Sequence, residues 1–255
     1  MRVKFLAIAT GVFAIALGGV ASGALQQTEE VSVKTKGPGE YTTISAKISN
    51  TDPVKVPERI SQIVVSSKLL KWNAKGAAVC TLQLRSDGEF MSPKCPANTV
   101  IGKGTFRGVL GIPGKAYPTD SLGKAGGTIT LYNYKPPAGT KVGILAEAHT
   151  IKDANYQSAA EATQYILGGV TAAGKETIDI PNLKGLPPQL RDIIPPCRFV
   201  VFTEANINLT PPKPKKGKAP FVTTKKGNID ASIQYVREEY TESPECLALL
   251  PADRN

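Results

Sequence analysis

The sequence predicts an all-β fold: a single-domain antiparallel β-sandwich, jelly-roll-like or related, of roughly 8–12 strands with two disulfides. Three observations carry that expectation. Short runs with period-two alternation of apolar and polar residues recur along the chain, separated by Gly, Pro, Asn or Asp. Glycine and proline are abundant, 24 and 20 residues in 255, as turn-rich chains require. Four cysteines, an even number, stand in a chain that begins like an exported one.

The leader comes first. Arg2 and Lys4 form a positive n-region, Phe5 to Val20 an apolar core, and Ala21, Ser22, Gly23 and Ala24 a small-residue cleavage region. The apolar run is short of the roughly 20 residues that span a bilayer. Residues 1–24 therefore read as a signal peptide with processing between Ser22 and Gln26, and 25–255 as the β-sandwich domain. No later segment reads as a transmembrane span, so the mature chain is expected to be secreted or associated with the cell envelope. The net charge is +10 and falls to +8 without Arg2 and Lys4. A basic exported protein favours anionic neighbours such as a cell-wall polymer, a glycan or a lipid head group. Nucleic acid is not an expected partner, because export removes the protein from most of it.

Within the domain, Val31–Val33 and Tyr41–Ile48 flank Lys36-Gly37-Pro38-Gly39 as a hairpin. Strands follow over Ile60–Leu70, Ala78–Leu84 and Thr99–Leu110. Pro136-Pro137-Ala138-Gly139 turns Thr128–Tyr134 into Val142–Thr150, and Ala172-Ala173-Gly174-Lys175 joins Tyr165–Val170 to Thr177–Ile180. Phe199–Leu209 and Ile229–Val236 complete the strands, while Gln157–Ala162 and Gln189–Ile194 read as brief helices.

The cysteines pair by geometry. Asp87-Gly88 is a preferred two-residue hairpin turn, and Cys80 and Cys95 lie equidistant from it, within bridging reach across the ladder. Cys197 precedes the strand from Phe199 and Cys246 follows the strand ending at Val236, so antiparallel pairing of those strands would bring them together. The two closures are worth about 3 and 4 kcal/mol in the chain-entropy account. Four zinc-binding cysteines are the alternative, but no C-x-x-C knuckle is present.

The segments Asn73–Cys80 and Cys95-Pro96-Ala97-Asn98-Thr99-Val100-Ile101-Gly102-Lys103-Gly104-Thr105 resemble a group of exported proteins of high-GC Gram-positive bacteria. There a Cys-Pro followed by Ile/Val-Gly-x-Gly opens a β-strand. The resemblance implies an exported β-rich fold and a local disulfide, and it carries no activity. Gly102 and Gly104 sit on a strand, which is no setting for a phosphate loop.

No catalytic residue, metal site or cofactor is expected. Glu147 and His149 share a face of one strand, as half of a metal or acid–base site or as a solvated polar patch. Ser121-Leu122-Gly123-Lys124 matches S-x-x-K but lies in a Gly-rich loop without its companion motifs. Glu204, Asn206 and Asn208 project from one strand face and could meet a sugar or a cation, and Tyr132 and Tyr134 could stack on a sugar. Asn208-Leu209-Thr210 is a glycosylation sequon followed by Pro211. The strongest binding feature is Lys213, Lys215, Lys216 and Lys218, interleaved with Pro211, Pro212, Pro214 and Pro220 that hold the run extended. The expected function is a non-catalytic envelope-associated binding or structural protein using this loop as a polyanion site. A secreted polysaccharide hydrolase using Glu147 and Glu204 is the alternative.

Overall fold

A computed structural model describes residues 13–14, 26–52, 54–57, 60–67, 70–83, 95–119, 123–153, 155–158, 161–172, 174–179, 197–225, 231–237 and 244–248. The strands are β1 (Phe13–Ala14), β2 (Gln26–Thr35), β3 (Thr42–Thr51), β4 (Ile60–Ser67), β5 (Leu70–Trp72), β6 (Val100–Gly111) and β7 (Lys124–Tyr134). They continue with β8 (Val142–Thr150), β9 (Thr163–Val170), β10 (Lys175–Asp179), β11 (Phe199–Leu209), β12 (Val222–Thr224) and β13 (Ala231–Arg237). All pair antiparallel. The large sheet runs β1-β2-β3-β11-β6-β7-β8-β9-β10-β4-β13, and β12 with β5 makes a separate ribbon. The all-β prediction and both disulfides are observed.

Alternation decides which residues the sheet buries. Ile101, Leu131, Val142, Ile144, Val170 and Leu209 form a buried cluster with Phe221 and Val222 of the ribbon segment. Trp72 meets Phe221 edge to face, with ring centroids 5.9 Å apart. The ribbon therefore forms the second layer over this face. Asn133, fully buried, holds its approach in place: Nδ2 donates to the carbonyls of Ala74, Ala77 and Ala78 at 2.8–3.1 Å. The opposite face is closed at one end by Cys80, Cys95, Tyr132, Tyr134 and Leu145. Towards its other end, Val56 and Val201 pack with Val109, Ile112 and Tyr117.

Several expectations need correction. The run Ile60–Leu70 is split into β4 and β5, which join different sheets. Residues 78–83 form no strand; Cys80 makes only an isolated parallel bridge to Tyr134, with its N–H donating to Asn133 O at 2.8 Å. Cys80 and Cys95 are bonded, with Cα atoms 5.6 Å apart, and the Asp87-Gly88 turn lies outside the described residues. Cys197 and Cys246 are bonded too, though not for the reason predicted. Both edges of β11 are taken by β3 and β6, so β13 pairs with β4 instead. Gln157, Ser158, Glu161 and Ala162 are not helical, because Ser158 Oγ bonds both backbone groups of Gly126 and ties this loop to β7. Gln189–Ile194 lies outside the described residues. The short α-helix Pro244–Leu247, which carries Cys246, was not anticipated.

Candidate functional site

The basic loop begins where β11 ends. Leu209 is buried, and Thr210 N–H donates to Ile101 O at 2.8 Å, so the chain leaves the sheet from a fixed point. Tyr41 then donates its hydroxyl to Pro211 O at 2.6 Å, and burial raises that phenol's pKa. Residues 212–219 are exposed apart from half-buried Pro214. They form neither helix nor strand up to Lys215, where Lys218 N–H donates to Lys215 O at 2.9 Å and Gly217 adopts φ +78°. The lysine run ends in a tight turn. The exit is anchored as firmly as the entry. Asn73 Nδ2 reaches Ala219 O and Pro220 O at 3.4 and 3.3 Å, Asn73 N–H donates to Phe221 O at 2.8 Å, and the Phe221 ring is fully buried. Gly76 permits this clamp, because a Cβ there would stand 2.3 Å from Phe221 N.

Lys213, Lys215, Lys216 and Lys218 are all exposed on the loop so held, and the sequence has no carboxylate between Thr210 and Gly227. Lys71 and Lys75 on the underlying ribbon segment and Lys225 beyond β12 are exposed as well. The tip of the β2–β3 hairpin meets the same region through Gly39 N–H, which donates to Thr224 O at 2.9 Å. What the loop can do is electrostatic: present fixed-root ammonium groups to an anion.

The structure gathers the other singled-out residues onto the polar sheet face. Register aligns Ser32, Ser45, Asn208, Lys103, Thr130, Glu147 and Tyr165 in one row across β2-β3-β11-β6-β7-β8-β9. The next row is Glu30, Lys47, Asn206, Thr105, Thr128, His149 and Thr163. All but Glu147 are half-buried or exposed. Neighbours satisfy one another laterally: Asn206 donates to Glu204 at 2.8 Å, Ser45 bonds Asn208, and His149 Nδ1 lies 3.0 Å from Thr163 Oγ1. No single-strand reading could find these rows, since they exist only once the register is set.

Chemistry on this face is limited by geometry. Glu147 and Glu204 lie three strand spacings apart across the sheet, about 14 Å, and four residues apart along the strands, about 13 Å more, whereas glycosidase carboxylates stand about 5–9.5 Å apart. Tyr132 and Tyr134 are buried against the Cys80–Cys95 bridge and are not available for sugar stacking. Their hydroxyls are used internally: Tyr132 donates to Glu147 Oε2 at 2.8 Å and Tyr134 to Leu82 O at 2.5 Å. Burial and the Glu147 carboxylate raise the Tyr132 pKa well above the ordinary tyrosine value. Lys124 opens a strand and bonds the Gln157 side chain; Ser121 lies outside the described residues. Among the described residues no group of three or more His, Cys, Asp and Glu is placed to hold a metal. None of their helices is long and apolar enough to cross a membrane.

Comparison with known proteins returns no match: no family model, no curated protein and no solved structure aligns with this chain.

Proposed function

We propose that the chain is exported through its leader and works at the cell envelope as a non-catalytic protein that holds anionic polymer on the loop 210–220. One observation carries the reading: four exposed lysines stand on a loop whose two roots are pinned by buried groups. Pinning lowers the ordering cost that binding would otherwise impose on the loop. Two disulfides suit an oxidising compartment. The resemblance of the Cys95-Pro96 segment to exported proteins favours the same location.

The test is co-sedimentation with cell-wall fragments carrying phosphate-rich polymer, from about 0.05 to about 0.5 M salt, across which screening shortens several-fold. The expected result is retention at low salt and release at high salt. Replacing Lys213, Lys215, Lys216 and Lys218 by Gln should weaken retention about tenfold or more, since exposed ion pairs contribute about 0.2–1 kcal/mol each. Retention insensitive to salt, or unchanged in the Gln variant, overturns the assignment. Binding confined to vesicles of anionic lipid moves the ligand from polymer to membrane.

A further inference from the structure

Among the described residues, the outer edge of β2 leaves most of its pairing capacity unused. β2 spans ten residues and pairs along its whole length with β3 without a register shift. Among the described residues, its other edge meets only β1, at Phe13↔Val31 and Ala14↔Glu30. Those two residues belong to the leader. If the leader is removed, as the export reading above requires, no strand among the described residues pairs with the outer N–H and C=O groups of β2. Proteins ordinarily blunt such an edge with proline, a bulge, a very short strand or charged side chains. Of these β2 has only the charges Glu29, Glu30 and Lys34, so whether its edge accepts a strand depends on which charges that strand sets opposite them.

We infer that this edge pairs with the same edge of a second copy, making a two-fold dimer centred on Ser32. The charge pattern selects both the occupant and the register. Antiparallel pairing about Ser32 sets Glu30 opposite the partner's Lys34 and Lys34 opposite the partner's Glu30. Both side chains are exposed on the polar face of the sheet. On the other face, Val31 stands opposite the partner's Val33, twice, as β-branched cross-strand pairs. Ser32 meets its own copy at the axis. Moving the axis to Glu30 or to Lys34 would put like charges directly opposite. Moving it to Val31 or Val33 would lose both Glu30–Lys34 pairs. An interface of this kind is isologous, so it closes at two copies rather than growing into a fibre. The leader strand, pairing where the partner would, keeps the edge capped until processing.

The experiment uses the chain as secreted, with intact mass read first and oligomeric mass second, by sedimentation from about 1 to about 100 µM protein. A processed chain is expected to be dimeric. Glu30→Lys and Lys34→Glu should each weaken the dimer at least tenfold, whereas the double variant, which restores opposite charges in both pairs, should recover it. Circular dichroism on all three checks that the fold is unchanged. As a second readout, Ser32→Cys should give an interchain disulfide on a non-reducing gel, since directly opposed Cα atoms lie about 4.5–5.5 Å apart. A processed wild-type chain that stays monomeric overturns the proposal. So does a dimer indifferent to the single charge reversals, or one that the double variant fails to rescue. A chain that keeps its leader refutes the export reading by mass alone; in that form the edge is occupied and a monomer is expected, so a dimer there also overturns the inference.

Discussion

β7 and β8 show two ways of making a sheet face from one stretch of chain. Odd positions of β7 and even positions of β8 face the ribbon: Leu131, Asn133, Ile144 and Ala146 are covered by Phe221, Val222 and the 74–78 segment. Even positions of β7 and odd positions of β8 make the other face, where Thr128, Thr130 and His149 retain solvent contact and only the disulfide end is dry. On the covered side, stability rests on apolar burial, with one amide side chain fastening the cover. On the open side, it rests on polar groups bonded across strands, and burial in β7 and β8 is concentrated towards the disulfide end, in Tyr132, Tyr134, Leu145 and Glu147. The difference teaches that alternation assigns residues to faces, whereas a remote segment decides which face becomes core.

The covered face should therefore be the more fragile. Truncating Phe221 removes a fully buried ring, its contact with Trp72 and the exit anchor of the basic loop. Phe221→Ala is expected to cost about 3–5 kcal/mol in chemical denaturation. A loss under about 1 kcal/mol would mean that the ribbon is not part of the cooperative core. Asn133→Ala comes next. It removes the donor shared by three carbonyls and leaves a small void, for about 2–3 kcal/mol. Hydrogen exchange should rise selectively at Gly76, whose N–H donates to Asn73 O within the released segment. Equal protection there in both proteins would show that Asn133 does not hold the cover.

How far these features were legible in the sequence depends on how local their causes are. The strands β2, β3, β6 to β9 and β11 follow from alternation and from the turns at Gly39 and Gly139, both at positive φ. Both disulfide pairings were legible too, although the ladder invoked for Cys197 and Cys246 does not exist. The three-residue β12 is too short to show a period, and it is held by β5 from 150 residues earlier in the chain. Tyr132 and Tyr134 looked like a sugar platform because alternation reveals a shared face but not its cover. The lysine loop was evident from composition. Its anchors were not, since Tyr41 and Asn73 reach it from 170 and 147 residues away.

On the open face the expected effect is smaller and depends on pH. Tyr132→Phe leaves the ring in place and deletes only the hydroxyl donating to Glu147, for about 1.5–3 kcal/mol near neutral pH. The sign of the pH dependence follows from the raised Tyr132 pKa. Above about pH 10 the unfolded tyrosine loses its proton while the folded one keeps it, so the unfolded state binds fewer protons and stability falls as pH rises. The wild type should lose stability with a slope steeper by up to about 1.4 kcal/mol per pH unit than Tyr132→Phe in that window. Identical alkaline slopes would show that this phenol is not protected from ionisation.

The smallest stability effect belongs to the surface that neither face contributes. Lys213, Lys215, Lys216 and Lys218 crowd four positive charges into six residues, and all four side chains are exposed. Their mutual repulsion acts through water and is screened over about 8 Å at physiological salt. The loop's shape is set elsewhere, by Pro211 against Tyr41, by Phe221 in the core and by the Lys215–Lys218 backbone turn. Replacing the four lysines by Gln touches none of these. The denaturation midpoint should therefore move by less than about 0.5 kcal/mol. Any change should be a slight gain that fades as salt is added, because relieved repulsion is the only term altered. That result would separate ligand binding from folding in this loop, so that a loss of polymer retention in the same variant reports on charge alone. A loss of more than about 1 kcal/mol would instead make the lysines part of the loop's architecture. It would place them with Phe221 on the covered side of the comparison.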